Sequence, residues 1–239
     1  MKKTPEQIQQ RPATPGQHRR LYQQIADRIH VLIDAGRYPA GERLPAERDL
    51  ATQLGVSRPS VREALIALEI EGSVEARAGA GLYVCQNTRR ATAVPPALGE
   101  SPTEVMQARA ALEGAVIVLA CAQRTARSMA SVRSTHQAMC DAVAAGQDPV
   151  ALDRKFHVAI AAATGNAVLR RLVGQLFDER HGPIASTLQS RSENAQTWAD
   201  AVREHGEIVQ ALEGRDPLLA QTTMRMHLAA SQRRWLEIQ

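Results

Sequence analysis

"PAERDLATQLGVSRPSVREALIALEIEG", residues 45–72, decides the fold of the first third of the chain. Two helical segments meet at a glycine. "PAERDLATQLG" carries Pro45 at or near its first turn and Gly55 just past its end, where each suits a helix boundary. "VSRPSVREALIALEIEG" restarts at once, with Ser57 as N-cap and Gly72 as terminator. Val61, Ala64, Leu65 and Leu68 keep one face of this second helix buried.

Upstream, "RRLYQQIADRIHVLIDA" (19–35) has apolar residues at 21, 25, 29, 32 and 33, a helical stripe, and "GRYPAGERLP" then breaks the chain. Downstream, "SVEAR" and "GLYVC" read as two short strands joined by the turn "AGAG". The order is helix, helix, turn, helix, two-stranded wing: a winged helix-turn-helix over 19–86. In such a unit the second helix of the pair enters the major groove by its N-terminal residues. Here these include Arg58, Ser60 and Arg62, while Arg48 on the preceding helix lies across the backbone or reaches the groove edge. Arginine suits this work because its planar fork pairs with guanine O6 and N7 or with phosphate. The bland alternative is a solvated basic helix in a small structural domain.

Charge supports an anionic partner for this segment. Residues 1–90 hold 14 Lys/Arg against 10 Asp/Glu, whereas residues 91–239 hold 15 against 15, so the whole net charge of +4 lies in the first third. No basic amphipathic face stands out, which puts nucleic acid ahead of membrane. The longest apolar run, "AVIVLACA" (115–122), is far below the roughly 18 residues of a membrane span. Three cysteines without CxxC spacing argue against a disulfide framework and for a reducing, cytoplasmic setting. Residues 1–18, rich in Gln, Pro and Thr, read as a disordered arm without the apolar core of a secretory signal.

Residues 87–101, polar and Pro-rich, read as a linker. Ser101-Pro102-Thr103-Glu104 then forms a capping-box signature. From 102 to 239 the periodicity is helical throughout, with Asp148-Pro149 and Asp216-Pro217 as further starts. About six helices are expected, at 102–126, 128–145, 149–163, 166–190 (with a bend possible at Gly182-Pro183), 193–213 and 217–236. The fold class is mainly α, a winged helix followed by an all-α bundle.

"GERLPAERDLATQLGVSRPSVREALIALEIEG" followed by "ARAGAGLYV" closely resembles the winged-helix domain of the GntR family of bacterial transcription regulators, over nearly all of 20–85. The resemblance implies DNA contacts by Arg48, Arg58 and Arg62, helped by Ser57 and Ser60, with Gly79 of the wing tip in the minor groove. The family's wing usually carries a glycine pair where this chain has Ala78-Gly79, so the tip is where the transfer is weakest.

In "LDRKFHVAIAAATGN" (152–166), Asp153 and His157 lie one above the other on an inward face. His205 lies 11 residues before Asp216 and His227 lies 11 after it. If Asp216 starts the second arm of an antiparallel hairpin, the two histidines sit level, each about 16 Å from the turn. The four side chains then form either a divalent-metal cluster suited to Zn²⁺ or Ni²⁺ or a packed polar core of ion-paired histidines. The second half also resembles the FCD effector domain of the FadR-type subgroup, through "RAALEG", "DRKFHVAIAAATGN", "EHGEIVQAL" and "MHLAAS". That resemblance implies one divalent ion, zinc before nickel, held by Asp153, His157, His205 and His227. It also assigns Arg109 as a fork for an effector carboxylate, with Asn166 and Arg180 as weaker pocket candidates.

The expected function is a homodimeric repressor, not an enzyme. It would read palindromic double-stranded operator DNA and respond to a small organic acid. Similarity of 43–75 to regulators of hexuronate and aldonate use points to sugar acids. Two alternatives remain: a metal-dependent hydrolase with a DNA-binding appendage, and a constitutive DNA-binding protein with a purely structural metal.

Overall fold

The computed structural model describes residues 20–86 and 97–236, so the expected arm and most of the expected linker lie outside the described residues. The chain begins with α1 (Leu21–Asp34), α2 (Glu47–Leu54) and α3 (Arg58–Ile70), then β1 (Val74–Arg77) and β2 (Gly81–Val84). The strands pair antiparallel with Val74 opposite Val84 and Arg77 opposite Gly81. Gly55 ends α2 in the left-handed region (φ 67°), which lets the chain turn at once into α3. Ser57 accepts from the Ser60 amide and caps α3. Ile25, Ile29, Leu50, Val61, Ala64, Leu65 and Leu68 bury the inner faces of the three helices.

The second half is helical: α4 (Pro102–Gln123), α5 (Ala126–Ala144), α6 (Val150–Ala162), α7 (Ala167–Asp178), α8 (Pro183–Ser192), α9 (Ala195–Glu213) and α10 (Pro217–Leu236). The expected single helix over 166–190 is two. The chain tightens into a 3-10 turn at Glu179–His181, Gly182 is extended, and Pro183, which has no amide to donate, begins α8 at its first turn. Asp216 caps α10 by accepting from the amides of Leu218 and Leu219, at 3.0 and 2.9 Å.

Helix α4 runs through the bundle against α10, α6 and α7. As a whole helix it is long and apolar enough to cross a membrane by length and composition, unlike the shorter run at its C-terminal end. Half of that stretch is buried in the bundle, and Arg109 and Glu113 are buried within the same helix. It is a core helix.

The two halves meet at a carboxylate. Glu63 of α3 is buried and accepts from the Ser101 hydroxyl (2.7 Å), the Thr103 amide (2.8 Å) and the Thr103 hydroxyl (2.6 Å). Only half of the expected capping box therefore forms. Ser101 caps the Glu104 amide, but the acid that serves the first turn of α4 comes from α3 rather than from Glu104. Burial pushes the Glu63 carboxyl above its ordinary value, opposed by its three donors. A second link joins Arg191 of α8 to Glu69 of α3 at 2.6 Å.

Candidate metal centre and nucleic-acid interface

Asp153 and His157 of α6, His205 of α9 and His227 of α10 converge in the bundle, all buried, with one ligand atom from each lying within 4.8 Å of the others. The hairpin arithmetic for α9 and α10 holds, with the Nε2 atoms of His205 and His227 3.1 Å apart. Asp153 Oδ1 is 3.4 Å from Nε2 of both His157 and His205.

The outer ring atoms explain the inward set. His157 Nδ1 faces Glu113 Oε2 at 2.5 Å, His227 Nδ1 faces Glu204 Oε2 at 2.8 Å, and His205 Nδ1 faces Met139 Sδ at 3.2 Å. Burial alone would raise the Glu113 carboxyl, but Arg109 and His157 pull it down to about 2; Glu204, beside His227 and Arg234, is likewise held at about 2. Both carboxyls are therefore ionised and accept Nδ1–H, which fixes the tautomer and turns the Nε2 lone pairs inward. Asp153, held well below the usual carboxylate range by His157, His205 and Arg180 against the effect of burial, adds a fourth electron-rich atom.

Burial and the neighbouring His227 push His205 well below its ordinary value, and burial lowers His227 as well. His157 goes the other way, since Glu113 and Asp153 outweigh its burial. Asp153 Oδ1 and His157 Nε2 are buried without a hydrogen-bond partner. With each ring proton on Nδ1, four lone pairs face one another, an arrangement that is favourable only around a cation. The donor set and its outer hydrogen bonds fit a divalent ion, so the group could hold a metal.

Arg109 pairs with Glu113 at 2.7 Å through Nε and lies 4.8 Å over the Phe177 ring, with Nη2 buried and unpartnered. Arg180 bonds Asp153 Oδ2 at 3.0 Å and Glu193 at 2.7 Å. Asn166 does not join the cluster. It is exposed, and its side-chain oxygen caps α7 through the amides of Val168 and Leu169. Glu113 and Glu204 were missed from sequence. The signal was present, because Glu113 lies one helical turn after Arg109 and Glu204 adjoins His205.

On the winged helix, Arg58 is exposed at the start of α3 and the Arg48 side chain is 80% exposed. Arg62 differs. Its guanidinium is buried against Glu47, with Nη2 at 2.6 Å and Nε at 2.9 Å, so α2 fixes its direction. Ser60 is also buried and its hydroxyl is 2.8 Å from that of Ser57, so both serines serve the cap. Gly79 stands at the exposed wing tip with φ 69° and open space around it.

A winged helix with exposed arginines on a helical bundle with a buried polar centre defines a ligand-responsive DNA-binding regulator. Residues 21–84 match the bacterial regulatory proteins of the gntR family and residues 104–230 match the FCD domain. The chain belongs to the gntR family, in the branch with an FCD domain, and is a transcription regulator rather than an enzyme. It is 34% identical over 220 residues to the Exu regulon transcriptional regulator of Escherichia coli (strain K12), covering 88% of this chain and 82% of that one. It is 35% identical over 226 residues to the Uxu operon transcriptional regulator of the same strain, covering 91% and 88%. The solved structure of E. coli McbR/YncC shares the fold, with a TM-score of 0.50 at 21% identity, covering 89% of this chain and 95% of that one.

Proposed function

We propose that the chain is a cytoplasmic, dimeric repressor whose operator affinity is set by a hexuronate or related sugar acid bound beside one divalent ion. The observation that carries this reading is the inward set of Asp153 Oδ1 and three imidazole Nε2 atoms. That set adjoins a cavity lined by Arg180, Trp198 and Trp235, in a chain similar to regulators named for the Exu and Uxu operons. Asp153, His157, His205 and His227 would hold the ion, Zn²⁺ first and Ni²⁺ next by ligand type. When bound, the ion supplies a Lewis-acid grip on a carboxylate or hydroxyl oxygen. Arg109 and Arg180 neutralise the ligand's remaining charge; Arg109 Nη2 and Arg180 Nε have no other hydrogen-bond partner.

On the DNA side, Arg58 reads bases at the start of α3, Arg62 does so as aimed by Glu47, and Arg48 takes the backbone. Ser57 and Ser60 hold the helix start that presents the arginines, and Gly79 lets the wing tip approach the minor groove. We assign 19–86 to DNA binding, 87–101 to the linker and 102–239 to ligand binding and dimerisation. A two-fold dimer then reads a palindrome.

The test is operator binding by the metal-loaded protein with and without glucuronate, galacturonate and fructuronate. Weaker binding with one of them supports the reading, and operator affinity indifferent to all three leaves a constitutive binder with a structural ion.

A further inference from the structure

Arg180 is 4% exposed and stacked among aromatic rings, with its guanidinium 4.8 Å from the Phe177 centroid, 4.9 Å from Trp235 and 5.9 Å from Trp198. Nη1 is committed to Asp153. The opposite edge, Nε with Nη2, is the one that grips a carboxylate with two parallel bonds. Glu193 uses only half of it: Nη2 donates to Glu193 Oε1 at 2.7 Å, and Nε is buried without a partner. Among the described residues Arg180 is the only hydrogen-bond partner of the Glu193 carboxylate.

The cavity beside this edge is lined by Asp153, Arg180, Glu193, Trp198, His227 and Trp235, together with Ser231. It offers about 20 Å³ to the centre of a water molecule. That is room for one or two waters. A six-carbon acid enters only if a lining group leaves. Glu193 is the group placed to leave, since it stands at the junction of α8 and α9, outside both helices.

We propose that Glu193 is an internal stand-in for the ligand's carboxylate. It holds Arg180 by one bond until a sugar acid takes the Nε/Nη2 edge by two and displaces it. The body of the sugar lies against the indoles of Trp198 and Trp235, which offer apolar faces to its C–H groups, while its hydroxyls meet Ser231. Displacement also reaches the DNA-binding half. Glu193 lies two residues beyond Arg191, whose bond to Glu69 ties α8 to the recognition helix α3. This proposal rests on the sugar-acid reading above and names the residue that competes with the ligand.

The test is calorimetric titration of full-length, metal-loaded wild type, Glu193→Gln and Glu193→Ala with galacturonate and glucuronate, and with galactose and glucose as uncharged controls. Melting temperatures verify that the variants are folded. Both variants should bind the uronate tighter than wild type by on the order of tenfold, the worth of a charge-assisted bond no longer contested. Binding of the uncharged sugars should not gain. Wild type that binds a uronate while both variants bind it equally or more weakly overturns the stand-in role and leaves the sugar-acid reading intact. A gain shared by the uncharged sugars also overturns it, since the effect is then space rather than charge. Wild type that binds neither uronate overturns the sugar-acid reading and this proposal together.

Discussion

The DNA-facing surface and the buried cluster use polar side chains in opposite ways. On the winged helix, two of the three arginines proposed to reach DNA are exposed and hold little else: Arg48 is 80% exposed and Arg58 stands clear at the helix start. In the bundle, His157, His205 and His227 are at most 5% exposed, and each outer ring nitrogen is matched to a partner. Outside, water satisfies an uncommitted group, so a lone arginine says little until the helix beneath it is known. Inside, an uncommitted atom costs free energy, so the unpartnered Asp153 Oδ1 and His157 Nε2 mark a place that could hold a cation. Arg62 combines the two modes, because Glu47 commits one edge of a side chain on the DNA-reading helix.

The largest expected effect tests the interior. His205→Ala should drop bound metal from about one ion per chain to near none and abolish the ligand response, while the winged helix still binds operator. Elemental analysis beside an operator-binding assay checks this, and metal-free wild type purified without chelator would rule out the metal site. Glu113→Gln should come next, weakening metal affinity by roughly 10–100-fold through the lost carboxylate behind His157. Competition with a chromogenic chelator measures it, with Glu204→Gln as the matched change behind His227.

The surface is tested by Arg58→Ala, expected to weaken specific operator binding by about 1–3 kcal/mol. Glu47→Gln should weaken it less, by loosening Arg62 without removing it. If Glu47→Gln is the worse of the two, Arg58 is not the principal reader. Acid offers a smaller, graded probe. Coordination needs neutral imidazole, and His205 and His227 are both held below their ordinary value of about 6.5. His157, raised by Glu113 and Asp153, is the ligand that protons contest first, so bound metal should fall progressively as pH drops from neutral toward about 5, which dialysis at stepped pH follows. Ser57→Ala should show the smallest effect, about 1 kcal/mol of stability from the lost cap of α3, seen in denaturant unfolding.

Much of this was legible in the sequence where local chemistry sets geometry. Gly55 and Ser57 marked the turn between α2 and α3, and Asp216 fixed the hairpin that brings His205 level with His227. Reading failed where a distant element supplies the partner. Glu104 looked like the acid of a capping box, but Glu63 serves the Thr103 amide from another helix. The segment 166–190 kept a helical rhythm across a break that depends on Gly182 turning extended before Pro183. Asn166 entered as a weaker pocket candidate through the family resemblance, and its side-chain oxygen caps α7. Glu113 and Glu204 went unread because a carboxylate on a helix is ordinarily solvated, and their nearness in sequence to Arg109 and His205 does not by itself say that they are buried.

Glu63 limits how this protein can be taken apart. Its carboxylate takes three hydrogen bonds from Ser101 and Thr103, at the head of the helical bundle where α4 begins. A winged helix cut out at residue 86 and grafted onto a foreign regulator would carry a carboxylate shaped for burial with no donors to meet it. Working chimaeras should therefore import the 101–103 segment with the DNA reader, or replace Glu63 with an apolar residue. By the same logic, exchange of reading heads between relatives is easiest where both sides of this contact travel as one unit.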